Sequence, residues 1–307
     1  MSALIEVEKL SKSYGGKRGI IDVSFSVPEG EVVGFLGPNG AGKTTTIRIL
    51  MALIRADSGI ARIAGLDCWS QSVEIKRLAG YIPGEPSLDP NLTGGQILEY
   101  FANLRGGVDR AYLKRLVDRF ELDLSRKFRQ YSTGNKRKVV LIQAFMHRPQ
   151  VLVLDEPTSG LDPLNQQEFD GMVKEAREEG RTIFLSSHVL SEVEKTCTRV
   201  AIIREGRIVR IGGVAELKDI KRYEVTISFA QPVSADSFKN VEGVAEVEQL
   251  NNGHALRLAM QGPADAVIKA AAQYPVVSLT SYEPSLEDIF LRYYEVDGER
   301  KEEAGVL

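Results

Sequence analysis

The sequence predicts an α/β domain built on a largely parallel sheet, interrupted by a helical insertion and followed by a smaller α+β domain. Over residues 1–216, strand-sized apolar runs alternate with longer helical patterns, the signature of an α/β layer structure. Between Pro86 and His147 the strand patterns stop and helical spacing takes over. From Tyr223 onward, alternating runs return with turn signals between them. At roughly 150 residues per domain, 307 residues suit two domains, each able to bury a core without disulfide staples.

In the first domain the candidate strands are residues 5–7, 32–36, 151–154, 182–185 and 200–204. In the insertion (about 86–147), Thr93 can cap a helix burying Ile97, Tyr100, Phe101 and Leu104. Asp109 can cap another burying Leu113, Leu116, Val117 and Phe120. In the second domain (217–294), residues 224–229, 244–250 and 254–260 alternate as strands, the last two joined by Asn251-Asn252-Gly253, a hairpin signal. Pro263 can open a helix through Gln273, and 276–282 reads as a strand. Ser285, with Asp288 three positions on, can start a helix burying Leu286, Ile289, Phe290 and Tyr293. With a short helix at 235–240 the order is β-α-β-β-α-β, a split βαβ arrangement. The tail 295–307, rich in Glu and Lys, is expected to be disordered.

Composition excludes several functions. The 39 Lys+Arg and 42 Asp+Glu give a net charge of −3, so no global positive field exists to grip a phosphate backbone, and no nucleic-acid partner is expected. The excess of acid lies in residues 217–307, with 9 basic and 15 acidic residues, which leaves the first part at +3. Cys68 and Cys197 are far apart and in no CxxC pattern, which suits reduced, buried thiols and no metal. No apolar run reaches the ~20 residues of a membrane span. The first eight residues alternate as a strand and lack the pattern of a signal peptide. A cytoplasmic protein is expected, with any membrane role arising through a partner.

The chemistry is concentrated at three strand ends. Gly37-Pro38-Asn39-Gly40-Ala41-Gly42-Lys43-Thr44 fits the phosphate-binding pattern G-x-x-x-x-G-K-[ST], and it lies between a strand and a helical run as the mechanism requires. Glycines let backbone N–H groups converge on phosphate, and the helix N-terminus adds its dipole. Lys43 should then reach the β- and γ-phosphates, Thr44 should hold Mg²⁺, and Thr45 should touch the α-phosphate. The strand 151–154 ends in Asp155-Glu156, facing the ligand crevice of a parallel sheet. Asp155 suits Mg²⁺ and Glu156 suits a general base for the attacking water. His188 follows the strand 182–185 and is expected at the same crevice, although a lone histidine is often only structural.

In this order the motifs resemble the ATP-binding cassette of ABC transporters. The phosphate loop is followed by Tyr131-Ser132-Thr133-Gly134-Asn135-Lys136, Leu154-Asp155-Glu156-Pro157, Ser159-Gly160-Leu161-Asp162 and Ser187-His188. The resemblance implies a P-loop NTPase fold with ATP and Mg²⁺ as cofactors. It also implies a second cassette facing this one head to tail. Ser132, Gly134 and Asn135 would then contact the partner's ATP from a helix running to Met146. It makes Tyr14 the aromatic stacked on adenine, Asp162 the contact coupling the two sites and His188 the γ-phosphate contact. Tyr14 reads equally as an edge-strand aromatic, and Asp162 as a turn former before Pro163.

The sequence departs from the family pattern at Thr133, usually glycine, at Asn135, usually glutamine, and at Gly84, where a metal-binding glutamine is usual. The second domain resembles the C-terminal extension of ABC-2 type exporters through Tyr282-Glu283-Pro284-Ser285-Leu286-Glu287-Asp288-Ile289-Phe290. It reads equally as a packing module. A nucleotide kinase or GTPase fits poorly, because Asn135-Lys136-Arg137-Lys138 lacks the acid of a guanine-reading NKxD. The nearest competitor is a soluble ABC ATPase acting on ribosomes or DNA. Heptads and basic tracts of that group are absent. The expected partner is therefore a separately encoded membrane-spanning permease, with this chain peripheral on the inner face of the cell membrane.

Overall fold

A computed structural model describes residues 2–16, 19–218 and 223–282. The chain divides between Val214 and Ala215 into two units, each described by itself.

The first unit opens with β1 (Ala3–Ser13), β2 (Gly19–Pro28), β3 (Val32–Leu36), α1 (Lys43–Leu50), β4 (Ser58–Ile63) and β5 (Leu66–Asp67). Next come α2 (Ser72–Leu78), β6 (Ala79–Ile82), α3 (Gly94–Leu104), α4 (Arg110–Arg119) and α5 (Thr133–Phe145). It closes with β7 (Val151–Asp155), α6 (Pro163–Glu178), β8 (Thr182–Ser187), α7 (Leu190–Thr196), β9 (Arg199–Arg204), β10 (Arg207–Gly213) and α8 (Val214–Lys218), which spans the boundary.

Six strands form one sheet in the order β10-β9-β3-β8-β7-β6, parallel throughout except for the terminal β10. Every residue of β3, β7 and β8 is buried, as expected for strands covered on both faces. Residues 5–7 do not join this sheet. They belong to β1, in a separate antiparallel sheet ordered β2-β1-β4-β5. The two sheets share one core: Phe25 of β2 lies 5.1 Å from Phe184 of β8 and 5.4 Å from Phe35 of β3, ring to ring. Ile47 and Leu50 of α1 enter the same core.

Between β6 and β7 lie only helices and loops. Thr93 caps α3 with a complete capping box, its hydroxyl accepting from Gln96 N while the Gln96 side chain accepts from Thr93 N. Asp109 caps α4. The buried face of α3 differs from the expected stripe. Ile97, Leu98 and Ala102 are buried, whereas Tyr100 and Leu104 are 59% and 67% exposed. Tyr100 and Leu104 thus belong to the part of the apolar stripe that the packing of α3, including its contact with α5, leaves uncovered.

The second unit contains β11 (Tyr223–Phe229), α9 (Asp236–Lys239), β12 (Val244–Leu250), β13 (Ala255–Met260), α10 (Asp265–Ala271) and β14 (Val276–Tyr282). All neighbours in the order β12-β13-β11-β14 are antiparallel, which is the split βαβ arrangement. Val225, Ile227, Leu256, Leu258 and Met260 face Phe238 and Val267 in a separate small core. The β12–β13 turn uses Asn251, Asn252 and Gly253, all at positive φ, where Asn and Gly are the least strained residues. The helix after Pro263 is shorter than its pattern, beginning at Asp265 and ending at Ala271. The helix expected from Ser285 and the tail from Glu295 lie outside the described residues.

Candidate functional site

The phosphate loop connects β3 to α1, and its glycines are required by close approach. A Cβ at Gly37 would strike the carbonyl of Ile203, and one at Gly42, where φ is 112°, would come within 2.5 Å of Ile20 Cγ2. Two backbone bonds hold the loop in place. Gly37 N donates to Ser187 O at the end of β8 (3.3 Å), and Gly206 N, in the β9–β10 turn, donates to Ala41 O (3.0 Å). Thr46 anchors the first turn of α1 by donating to Gly42 O.

Lys43, 5% exposed, folds back over the loop and donates to the carbonyls of Gly37 (2.6 Å) and Pro38 (3.3 Å). Its Nζ also lies 3.2 Å from Glu156 Oε1. The other oxygen, Glu156 Oε2, is 2.8 Å from His188 Nδ1. With Glu156 ionised, Nδ1 carries the proton and donates. Lysine, glutamate and histidine from three strand ends thus form one chain of contacts.

Asp155 is fully buried. Ser186 of β8 supports both acids, since its hydroxyl donates to Asp155 Oδ1 (2.7 Å) and accepts from Glu156 N (3.0 Å). Glu156 sits at φ 48°, a left-handed conformation that costs about 1 kcal/mol or more for a side chain of this kind. The Ser186 bond helps to hold it. Asp155 Oδ2 is buried with no hydrogen-bond partner, and a Cβ on Gly84 would lie 3.1 Å from it. An unpaired buried carboxylate oxygen is costly, and it is a hard donor of the kind Mg²⁺ accepts. Asp155 therefore fits that ion, and Thr44 offers a hydroxyl on the wall of the phosphate-loop cleft.

Tyr14, Pro38, Asn39, Gly40, Gly42, Lys43, Thr44, Thr45 and Glu156 line one cleft of about 490 Å³. Gly37 and Ala41 are buried and do not line it, and His188 is joined to it through Glu156. Tyr14 is half exposed at the rim, with Lys12 Nζ 6.0 Å from its ring centroid.

The remaining candidate residues do not line this cleft. Ser132 is the exposed N-cap of α5 and accepts from Asn135 N. Gly134 packs against the loop before Asp162, where a Cβ would stand 3.0 Å from Gly160 O, and Thr133 Cγ2 fits over Gly160. Asp162 caps α6 by accepting from Asn165 N and Nδ2, bonds that lower its pKa, with Pro163 at the first helical position. Sequence reasoning passed over Ser186 as a bridge between the acids, and it passed over Arg137. That side chain is buried and bonded to the carbonyls of Pro83, Gly84 and Ser159. A serine near the end of β8, which stands opposite Asp155 of β7 in the sheet, was the only signal for the first, and the Lys136-Arg137-Lys138 run concealed the second.

A parallel sheet with a phosphate loop at the carboxyl end of β3 and acids at the end of β7 defines a P-loop nucleoside triphosphatase. Residues 20–159 match the ABC transporter family model, and residues 212–294 match that of the ATP-binding protein DrrA1-3-like C-terminal domain. The uncharacterized ABC transporter ATP-binding protein YhcH of Bacillus subtilis is 35% identical, covering 99% of each chain. The linearmycin resistance ATP-binding protein LnrL of the same organism is 35% identical over 70% of each. A solved ATP-binding subunit of an ABC transporter superposes with a TM-score of 0.65 at 33% identity, covering 70% of this chain and 92% of that one. The chain belongs to the ATP-binding subunits of ABC transporters, which are ATPases.

Proposed function

We propose that this ATPase drives a separately encoded membrane subunit, as an exporter, through ATP-dependent pairing of two cassettes. The observation that carries the reading is the contact chain Gly37–Lys43–Glu156–His188 across the phosphate-loop cleft. Lys43 is bound by the loop carbonyls and paired with Glu156. A γ-phosphate carries more charge than either partner and draws the ammonium away. Glu156, released, accepts the proton of the attacking water, and His188 holds its carboxylate in orientation. Thr44 and Asp155 would hold Mg²⁺, which when bound would supply positive charge against the charge developing on the transferred phosphate. Tyr14, exposed at the rim of the cleft, would stack on the adenine.

Ser132 and Gly134 open α5 without lining their own cleft, and the N-cap Ser132 is exposed. That geometry suits an anion supplied by a second molecule, here the γ-phosphate in a facing cassette, with Asn135 beside it and Asp162 near the contact. Two ATP molecules would then hold two chains together until hydrolysis releases them.

An apolar groove of about 510 Å³ lies between the end of β6 and α3, lined by Met51, Leu53, Tyr81, Pro83, Phe101 and Leu104 among others. It adjoins Gly84 and suits a cytoplasmic segment of the membrane subunit. Among the described residues no helix is long and apolar enough to cross a membrane, so attachment to the inner face of the cell membrane would come through this groove. Export is supported by the C-terminal match and by the relative named for linearmycin resistance.

The test is to tag the chain, purify it from its own cell in mild detergent, and identify what accompanies it by mass spectrometry. A polytopic membrane protein in near-equal amount, lost in Leu104→Glu, supports the reading. Ribosomal or DNA-repair proteins without a membrane partner would replace it with a soluble ABC ATPase.

A further inference from the structure

Arg137 lies within a run of three cations, yet only 3% of it is exposed. Its guanidinium donates from Nη1 to Pro83 O (2.8 Å), from Nη2 to Gly84 O (2.5 Å) and from Nε to Ser159 O (3.2 Å). These bonds join three separate pieces of chain: the start of α5, the segment after β6, and the turn after β7. Ser159 N in turn donates to Glu156 O (3.1 Å), so the third piece is the turn that carries the candidate base. Burial disfavours the charged guanidinium, while the nearby acids Asp155 and Glu156 favour it. An apolar side chain of similar size would leave the carbonyls of Pro83, Gly84 and Ser159 without this donor, so the guanidinium holds all three segments in one arrangement.

We propose that Arg137 is a positioning residue for hydrolysis, tying the start of α5 to the Glu156 turn and to residues 83–84. Contact of Ser132 with the nucleotide of a second cassette is thereby transmitted to the base in this chain's own cleft. The inference rests on the reading of Glu156 as the base and of α5 as the element facing a partner. Rigid guanidinium geometry suits the task, because one planar group fixes three carbonyls in a single arrangement.

The test compares Arg137→Gln and Arg137→Lys with the parent chain in affinity for a fluorescent ATP analogue, kcat, KM, Hill coefficient for ATP and melting temperature. Analogue affinity should stay within about twofold, because the phosphate loop is untouched. For Arg137→Gln, kcat should fall about 10- to 100-fold, the range expected for a misplaced catalytic group, and the Hill coefficient should drop to about one. Arg137→Lys, which reaches fewer carbonyls, should recover part of both. A lower melting temperature with parental kcat and Hill coefficient per folded molecule would reduce Arg137 to a structural role and overturn the proposal. Should Arg137→Gln not fold, the same comparison on Arg137→Lys decides it. Parental turnover in Glu156→Gln is a different result, which removes the base itself.

Discussion

Replacing Glu156 by Gln keeps the shape of the side chain and removes its charge from between Lys43 and His188. At 3.2 Å the attraction between Lys43 and Glu156 is about 5 kcal/mol at an effective dielectric near 20. Desolvation and screening leave about 1 kcal/mol of net effect. That bond competes with ATP for the lysine, so the variant should bind ATP about fivefold more tightly. Turnover should move the other way. A positioned general base contributes about 10²- to 10⁴-fold, equivalent to about 3–5 kcal/mol of barrier. Phosphate release and sedimentation velocity, each with and without ATP, read both effects. The expected outcome is almost no phosphate and a dimer that appears with ATP and persists. Hydrolysis at the parental rate would refute the assignment of Glu156.

Four further outcomes follow from named contacts. Gly42→Ala places a methyl group at φ 112° and 2.5 Å from Ile20 Cγ2, a strain of about 1–3 kcal/mol, and nucleotide titration should show ATP binding largely lost; affinity equal to the parent would mean the loop tolerates the shift. Gly84→Gln sets an amide beside the unpaired Asp155 Oδ2, and the Mg²⁺ concentration giving half-maximal activity should fall severalfold, whereas no change would show that the site lacks no ligand there. Burial lowers the pKa of His147 to about 4, so the unfolded chain takes up the proton first as pH falls below 6.5, and stability should drop between about pH 6.5 and 4, by about 2 kcal/mol after allowance for partial exposure. His147→Gln should flatten that limb in urea titrations at pH 4.5 and 7.5, and an unchanged slope would exonerate the histidine. Leu104→Glu should leave ATPase turnover at the parental level in the isolated chain while abolishing recovery of the membrane subunit; loss of turnover instead would place Leu104 within the fold's own machinery.

What the sequence disclosed was mostly local. The phosphate loop, the acids closing 151–155 and the Thr93, Asp109 and Ser132 caps are short patterns whose physics is complete within a few residues, and each is found where its pattern placed it. The hairpin at 251–253 is of the same kind. Sheet membership is not local: the alternation at 5–7 identifies a strand but not its partners, and β1 pairs with β2 and β4 in a second sheet. The strand β6 was hidden because Gly80, which must lack a side chain to clear Ala144 O, weakens its pattern. Arg137 read as part of a solvated charge run, and its burial depends on carbonyls 54, 53 and 22 residues away. Tyr100 and Leu104 continued an apolar stripe, and only the packing of α3 on α5 shows that the stripe is wider than the buried face.

The central claim is tested most directly by a crystal structure of Glu156→Gln grown with ATP and Mg²⁺. The account predicts ATP in the cleft with its γ-phosphate at Lys43 and His188, the metal between Thr44 and Asp155, and Ser132 of a second chain on the far side of the phosphate. A nucleotide bound elsewhere, or one enclosed in this cleft with no second chain against it, would contradict the account.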